Sequence, residues 1–145
     1  MKVSTRVEYG LIALTDIVIH GENGTTVSAP EISQRQNISH KYLEHILLLL
    51  RQAGFIKAQK GVRGGYTLAC SPDDITMRDV LNALDKSILE DMDTTEDKGL
   101  RAAVNENFWG KINNNLNSYA EDVKLNDFAA RCRAACGDKW DYYII

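Results

Sequence analysis

The run Lys60-Gly61-Val62-Arg63-Gly64-Gly65 puts two cations into a loop whose three glycines leave the backbone open to close approach. A basic tip of that shape can enter a minor groove or lie along phosphates. A phosphate-cradling nucleotide loop is the poorer reading, because that motif needs a helix after the glycines, and Tyr66-Thr67-Leu68 reads as a strand. A second group, Ser39, His40, Lys41, Glu44 and His45, gathers at the start of a helical segment. Lysine can donate to guanine O6 and N7, and glutamate can accept from cytosine N4. Lys2, Ser4, Thr5 and Arg6 place donors and positive charge at another helix start, where phosphates are often received.

Other reactive side chains are sparse. The histidines are His20, His40 and His45, and the last two, five apart on one helix, fit a single metal poorly. The cysteines are Cys70, Cys132 and Cys136, an odd number that makes no disulfide framework. Cys132 and Cys136 are four apart, so a helix would put them on one face, as a redox pair or a soft-metal pair, or simply as two half-buried small residues. The chain has no nucleophile elbow, no Walker A motif and no CxxC zinc spacing, and it reads as a non-enzyme.

The elements that would position these groups follow from periodicity. Val7, Leu11, Leu14 and Val18 recur at helical spacing over 5–19, after a capping Ser4 or Thr5. Ser28-Ala29-Pro30-Glu31 is a capping box opening a short helix to about Gln36, which Asn37 breaks. Ser39 caps the next helix, whose stripe is Leu43, Ile46, Leu47 and Leu50, with Gly54 as its stop. Two helices joined by a short turn form a helix-turn-helix. Strands at Phe55–Gln59 and Tyr66–Cys70 around the Gly-rich loop make a hairpin, the wing. Thr76 caps a helix with Asp79 in the box position. Residues 85–98 read as an acidic loop or frayed helix, 100–124 as one long helix, and the last twenty residues as irregular or briefly helical. The expected fold is mostly α, a winged helix-turn-helix over 1–85 with a two-stranded wing. An acidic loop, a long dimerisation helix and a tail follow over 86–145.

Bulk properties agree with this organisation. The chain has 145 residues and a net charge of −3. Residues 1–70 carry eight Lys/Arg against five Asp/Glu, and residues 71–145 carry nine against fifteen. A basic front beside an acidic rear suits a protein that offers one face to a polyanion. No apolar run approaches the roughly 20 residues of a membrane span, and the start does not read as a signal peptide. The expectation is a cytoplasmic protein with no membrane partner.

Several ordered stretches resemble the Rrf-two family of winged helix-turn-helix transcription regulators (the IscR-, NsrR- and CymR-like proteins). They are Met1-Lys2-Val3-Ser4-Thr5-Arg6 with Glu8-Tyr9-Gly10, and Ile38-Ser39 with Tyr42-Leu43-Glu44 and Ile46-Leu47. Ala53-Gly54, Lys60-Gly61, Gly64-Gly65-Tyr66 and Ile75-Thr76 with Asp79-Val80-Leu81 continue the match, which is dense over about 1–85. Phe108-Trp109 to Leu125-Asn126-Asp127-Phe128 is similar to the end of the family's long helix. The resemblance implies a homodimeric DNA-binding repressor or activator. It places Lys41, Glu44 and His45 on base-contacting positions, and Lys60 where the family's wing usually has Arg. The full candidate set for DNA is Lys2, Ser4, Arg6, Ser39, His40, Lys41, Tyr42, Glu44, His45, Lys60, Arg63 and Gly64.

Two further expectations concern assembly and cofactor. The stripe Val104, Phe108, Ile112, Leu116, Tyr119 and Val123 is expected to pack on its symmetry mate and on the first helix, giving a twofold dimer and a pseudo-palindromic operator. Family members with an iron–sulfur cluster carry three closely spaced cysteines before the long helix, whereas Asp85 to Asn107 has none. Glu8 aligns with an acidic cluster ligand of some members. The expectation is a protein without the cluster or another metal, its signal a small molecule, a partner protein or oxidation of Cys132 and Cys136. The alternatives are an iron–sulfur or thiol-based redox sensor and a winged-helix protein-interaction module.

Overall fold

Ser4 opens the first helix, its hydroxyl oxygen accepting from the Val7 amide, and α1 runs Thr5–His20. The computed structural model describes residues 2–91, 93, 95–96 and 98–137. Ser28 starts α2 (Ala29–Gln36) by accepting from the Glu31 amide. Asn37, in the left-handed conformation with φ 53, ends it. Asparagine tolerates that region because its short polar side chain bonds locally. The chain then turns through Ile38 and Ser39 into α3 (His40–Gln52). The helix-turn-helix is therefore as the caps indicate.

The wing follows as β1 (Ile56–Gln59) and β2 (Gly65–Leu68), antiparallel, with Ile56 opposite Leu68 and Gln59 opposite Gly65. Val27 adds a bridge on the outer side of β2, exchanging backbone bonds with Tyr66 at 2.9 and 2.8 Å. This seats the wing beside the start of α2. Gly65 makes the close approach feasible: a Cβ there would lie 2.7 Å from the Val27 carbonyl oxygen.

Thr76 and Asp79 form the reciprocal capping box of α4 (Met77–Leu84). A Cβ at Gly10 would lie 2.5 Å from a Leu84 methyl, so the glycine leaves room for the Leu84 side chain where α4 meets α1. Leu14, Ile17, Ile32, Leu43, Ile46, Leu47, Leu50 and Val80 are fully buried between these helices.

The rear half departs from the expected single long helix. The long helix is α5 (Leu100–Val104), a wider π-helical stretch at Asn105–Trp109, and α6 (Gly110–Asp122). Its inner side packs on α4. Of the last twenty residues, expected to be irregular or briefly helical, most of the described part is helical: α7 (Leu125–Cys136) has twelve residues and packs on α1. Backbone bonds dock the joint, from the Met77 amide to Val123 O and from the Leu125 amide to Ile75 O. Leu89, Ala120, Val123, Leu125 and Ala129 thereby join the core of the first 85 residues, which is continuous. The aromatic end, Trp140 to Ile145, lies outside the described residues.

Candidate nucleic-acid interface

The second helix of the motif, α3, buries Leu43, Ile46, Leu47 and Leu50 and turns Lys41, Glu44, His45 and Leu48 to solvent. Ser39 accepts from the Tyr42 amide, so its oxygen caps the helix while its hydroxyl hydrogen stays available to donate. His40 and Glu44 face each other at 3.0 Å one turn apart. Glu44 is thus oriented by a neighbour, and a protonated His40 would offset its charge. Lys41 and His45, both exposed, complete the outward face of the first two turns. A helix presents this surface to base edges when it enters a major groove.

Tyr42, one of the DNA candidates, also has a partner within the fold. It is half-buried and meets Tyr9 edge-to-face, with centroids 5.8 Å apart and planes at 83°. Such a pair anchors α3 on α1, so Tyr42 also positions the helix.

The wing tip presents Lys60, Val62 and Arg63, all exposed. Among the described residues, Val62 is the most exposed of the large hydrophobic ones, at 107%. Sequence reasoning assigned it no role, although an apolar residue at the tip of a basic loop is the available signal. The Gly64 amide donates to Gly61 O at 2.9 Å and closes the turn. The Thr26 hydroxyl donates to Arg63 O at 2.8 Å, tying the tip to the segment before α2. At the N-terminus Lys2 is exposed, while Arg6 is 3.9 Å from Asp85. Arg6 is 45% exposed in its side chain, so this contact is weak and screened. Arg6 nevertheless starts with an acidic partner that a phosphate would have to displace.

What sets α2 in place was missed by sequence reasoning. Asp16, fully buried in α1, accepts from Arg35 Nε at 3.0 Å and Nη2 at 2.8 Å, and from Gln36 Nε2 at 2.8 Å. A bidentate guanidinium pair fixes orientation as well as distance. The available signal was an aspartate between Thr15 and Ile17 on the apolar side of α1.

The expected assembly face is only partly exposed. Val104, Phe108, Ile112 and Tyr119 are 44–66% exposed, and Trp109 and Leu100 join them at 49% and 79%. Leu116 is half-buried against the protein's own core. Val123 must be corrected: it is 8% exposed and belongs to that core. The helix ends at Asp122 and Val123 is extended (φ −93, ψ 117), so helical spacing no longer governs its direction.

Cys132 and Cys136 share one side of α7, and burial, together with Cys136 itself, pushes the Cys132 thiol up from its ordinary range. Cys70 is exposed beyond β2, its thiol also raised by burial and then by Asp74 and Asp79. Among the described residues, no group of three Cys, His, Asp or Glu side chains is placed to hold a metal. Glu8 stands exposed on the first turn of α1.

Helix-turn-helix, wing and a trailing helix with an apolar outer face define a winged-helix protein. The family model described as Rrf2, iron-dependent transcriptional regulator, matches residues 3–131, and the chain belongs to this family. It is 32% identical over 131 residues to the transcriptional regulator CymR of Bacillus subtilis, covering 90% of this chain and 91% of CymR. It is 46% identical over 86 residues to the rrf2 protein of Nitratidesulfovibrio vulgaris, a match that spans only 57% of that protein. Among solved structures, B. subtilis CymR superposes with a TM-score of 0.80 at 30% identity, over 90% of this chain and 98% of CymR. IscR of T. potens gives 0.76 at 30% identity, over 99% and 97%. The matched family is one of transcription regulators, not of enzymes.

The iron-dependent description of the family makes the donor set worth testing. Thiolates hold iron–sulfur clusters because the iron in them prefers sulfur. The segment between α4 and α5 contains no cysteine, and the cysteines present lie after β2 and on α7. These residues do not fit such a cluster.

Proposed function

We propose that this chain is a sequence-specific DNA-binding transcription regulator that acts as a homodimer in the cytoplasm and works without an iron–sulfur cluster. The observation that carries the reading is the pairing of two basic, exposed surfaces on one framework. Lys41 and His45 face outward from the start of α3, and Lys60 and Arg63 form the tip of the wing. In this reading α3 enters the major groove, while the wing lies on phosphates or in the adjacent minor groove. The exposed apolar row Val104, Phe108, Ile112 and Tyr119 supports a twofold partner, since contiguous apolar surface of this kind marks an interaction site. A twofold dimer sets two recognition helices one turn of DNA apart, or a multiple of it, and calls for a pseudo-palindromic operator.

The test is fluorescence anisotropy on duplex DNA across a range of salt concentrations. Phosphate-driven binding weakens steeply as salt rises. Binding to an apolar protein partner only, with no salt-dependent DNA affinity, would favour an interaction module instead. The cofactor reading is tested by iron and sulfide analysis after anaerobic purification. Stoichiometric iron and sulfide, with DNA affinity that changes on chelation, would overturn it.

A further inference from the structure

Cys132 and Cys136 stand one turn apart on α7, both half-buried, and both line a cavity of about 230 Å³ between α7 and α1. The facing wall is Leu11, Ile12 and Thr15, with Phe128 beside the thiols and Gln36 of α2 at one edge. Two of these side chains carry polar atoms that are already committed. The Thr15 hydroxyl donates to Leu11 O at 2.7 Å, and the Gln36 amide nitrogen donates to Asp16 at 2.8 Å. What the cavity offers a ligand is therefore apolar surface and two sulfurs.

The spacing selects among thiol chemistries. Residues one turn apart on a helix have Cβ atoms about 5–6 Å apart, whereas a disulfide needs about 3.5–4.5 Å. A disulfide would require the last turn of α7 to unwind. A single metal ion between two sulfurs, each at a bond of about 2.3 Å, spans about 4.6 Å, which rotamer choice can reach from an intact helix. No third ligating side chain joins the pair among the described residues, so a hard or tetrahedral ion is poorly served. Soft thiolate ligands select copper(I), zinc and iron–sulfur clusters, and of these the two-donor pair suits copper(I), which accepts two-coordinate binding, while zinc sites and clusters ask for more donors. The negative pole at the end of α7 disfavours bare thiolates and favours a cation between them.

We propose that Cys132 and Cys136 form a binding site for one soft monovalent cation of the copper(I) class, held linearly between the two sulfurs. The exchange balances as two thiols plus one monovalent cation giving a bis-thiolate complex and two protons. Neither sulfur is oxidised, so no electron acceptor is required. Each thiol must lose its proton to bind the ion, so affinity rises with pH. The site is distinct from the DNA surface, and its test does not depend on DNA binding.

The experiment uses the reduced full chain with Cys70→Ser, which removes the remaining thiol. Silver(I), redox-inert and of the same coordination preference, is titrated calorimetrically with proton release followed in parallel. Copper(I) is then presented in competition with a colorimetric copper(I) chelator. The expected result is one ion per chain, two protons released per ion and a raised thermal midpoint. Cys132→Ser or Cys136→Ser should each weaken binding by about 100-fold, because the second sulfur acts at high effective concentration. Two ions per chain, or an affinity that either single substitution leaves unchanged, would show two independent thiols and overturn the proposal. So would failure to take copper(I) from the chelator.

Discussion

Replacing Asp16 with alanine removes the acceptor of three hydrogen bonds and leaves the guanidinium of Arg35, whose side chain is 9% exposed, without its main counter-charge. Breaking a buried pair from one side destabilises by about 3–5 kcal/mol, because the surviving charge stays desolvated. Glu31 lies 3.8 Å from Arg35 one turn away and is 54% exposed, so it can take over part of the compensation. This places the expected loss near the lower end, about 3 kcal/mol. Against a total of about 5–15 kcal/mol for a typical domain, such a loss is large. The assay is urea unfolding at one fixed protein concentration, since dimerisation would couple stability to concentration. The midpoint should fall with the slope unchanged. The double variant Asp16→Leu, Arg35→Met should recover most of the loss, because it removes both charges together. A single-variant loss below about 1 kcal/mol, the value of an exposed pair, would refute the view that this clamp sets α2 against α1.

The remaining predictions address the DNA surface, the assembly face, the wing and pH. Lys41→Ala should weaken binding and relax preference at the contacted base pair, whereas Arg63→Ala should weaken binding to all sequences and flatten the salt slope by about one unit; anisotropy titrations read both. Phe108→Glu, placing a charge in the exposed apolar row, should shift sedimentation from dimer toward monomer and lower DNA affinity while the circular dichroism spectrum is retained. Gly65→Ala should lower the thermal midpoint and weaken DNA binding together, because the added carbon meets the Val27 carbonyl that seats the wing. Burial holds the His20 imidazole below its usual 6.5, so protonation opposes the fold and stability should decline as pH falls below 6.5 toward the lowered value. His20→Gln should lessen that decline in urea titrations at a series of pH values.

The front half was legible because each signal there is local. Ser4, Ser28, Ser39 and Thr76 cap the helices that follow them, and Asn37 breaks α2 where its type suggests. The Gly-rich loop lies between two strands as read, with boundaries shifted by one or two residues. What was not legible depends on distant partners. Asp16 finds Arg35 and Gln36 on another helix, and nothing near it in the chain announces them. The helix α7 buries only Leu125 and Ala129, too thin a stripe to stand out, and owes its place to α1 and to the bridge between Thr76 and Lys124. Helical spacing counted Val123 into the assembly stripe because the end of α6 at Asp122 leaves no strong mark. The edge-to-face contact of Tyr42 with Tyr9 joins two helices, and the spacing along neither one announces it.

The most direct test of the central claim is selection of bound duplexes from a random DNA library by the purified full chain, repeated with the Lys41→Ala variant. The account predicts enrichment of a pseudo-palindrome whose half-site centres lie about 10–10.5 base pairs apart, or a multiple of that. It also predicts that Lys41→Ala loses preference at symmetric positions in both half-sites. Recovery of unenriched sequences, or of a motif without twofold symmetry that Lys41→Ala leaves unchanged, would contradict it.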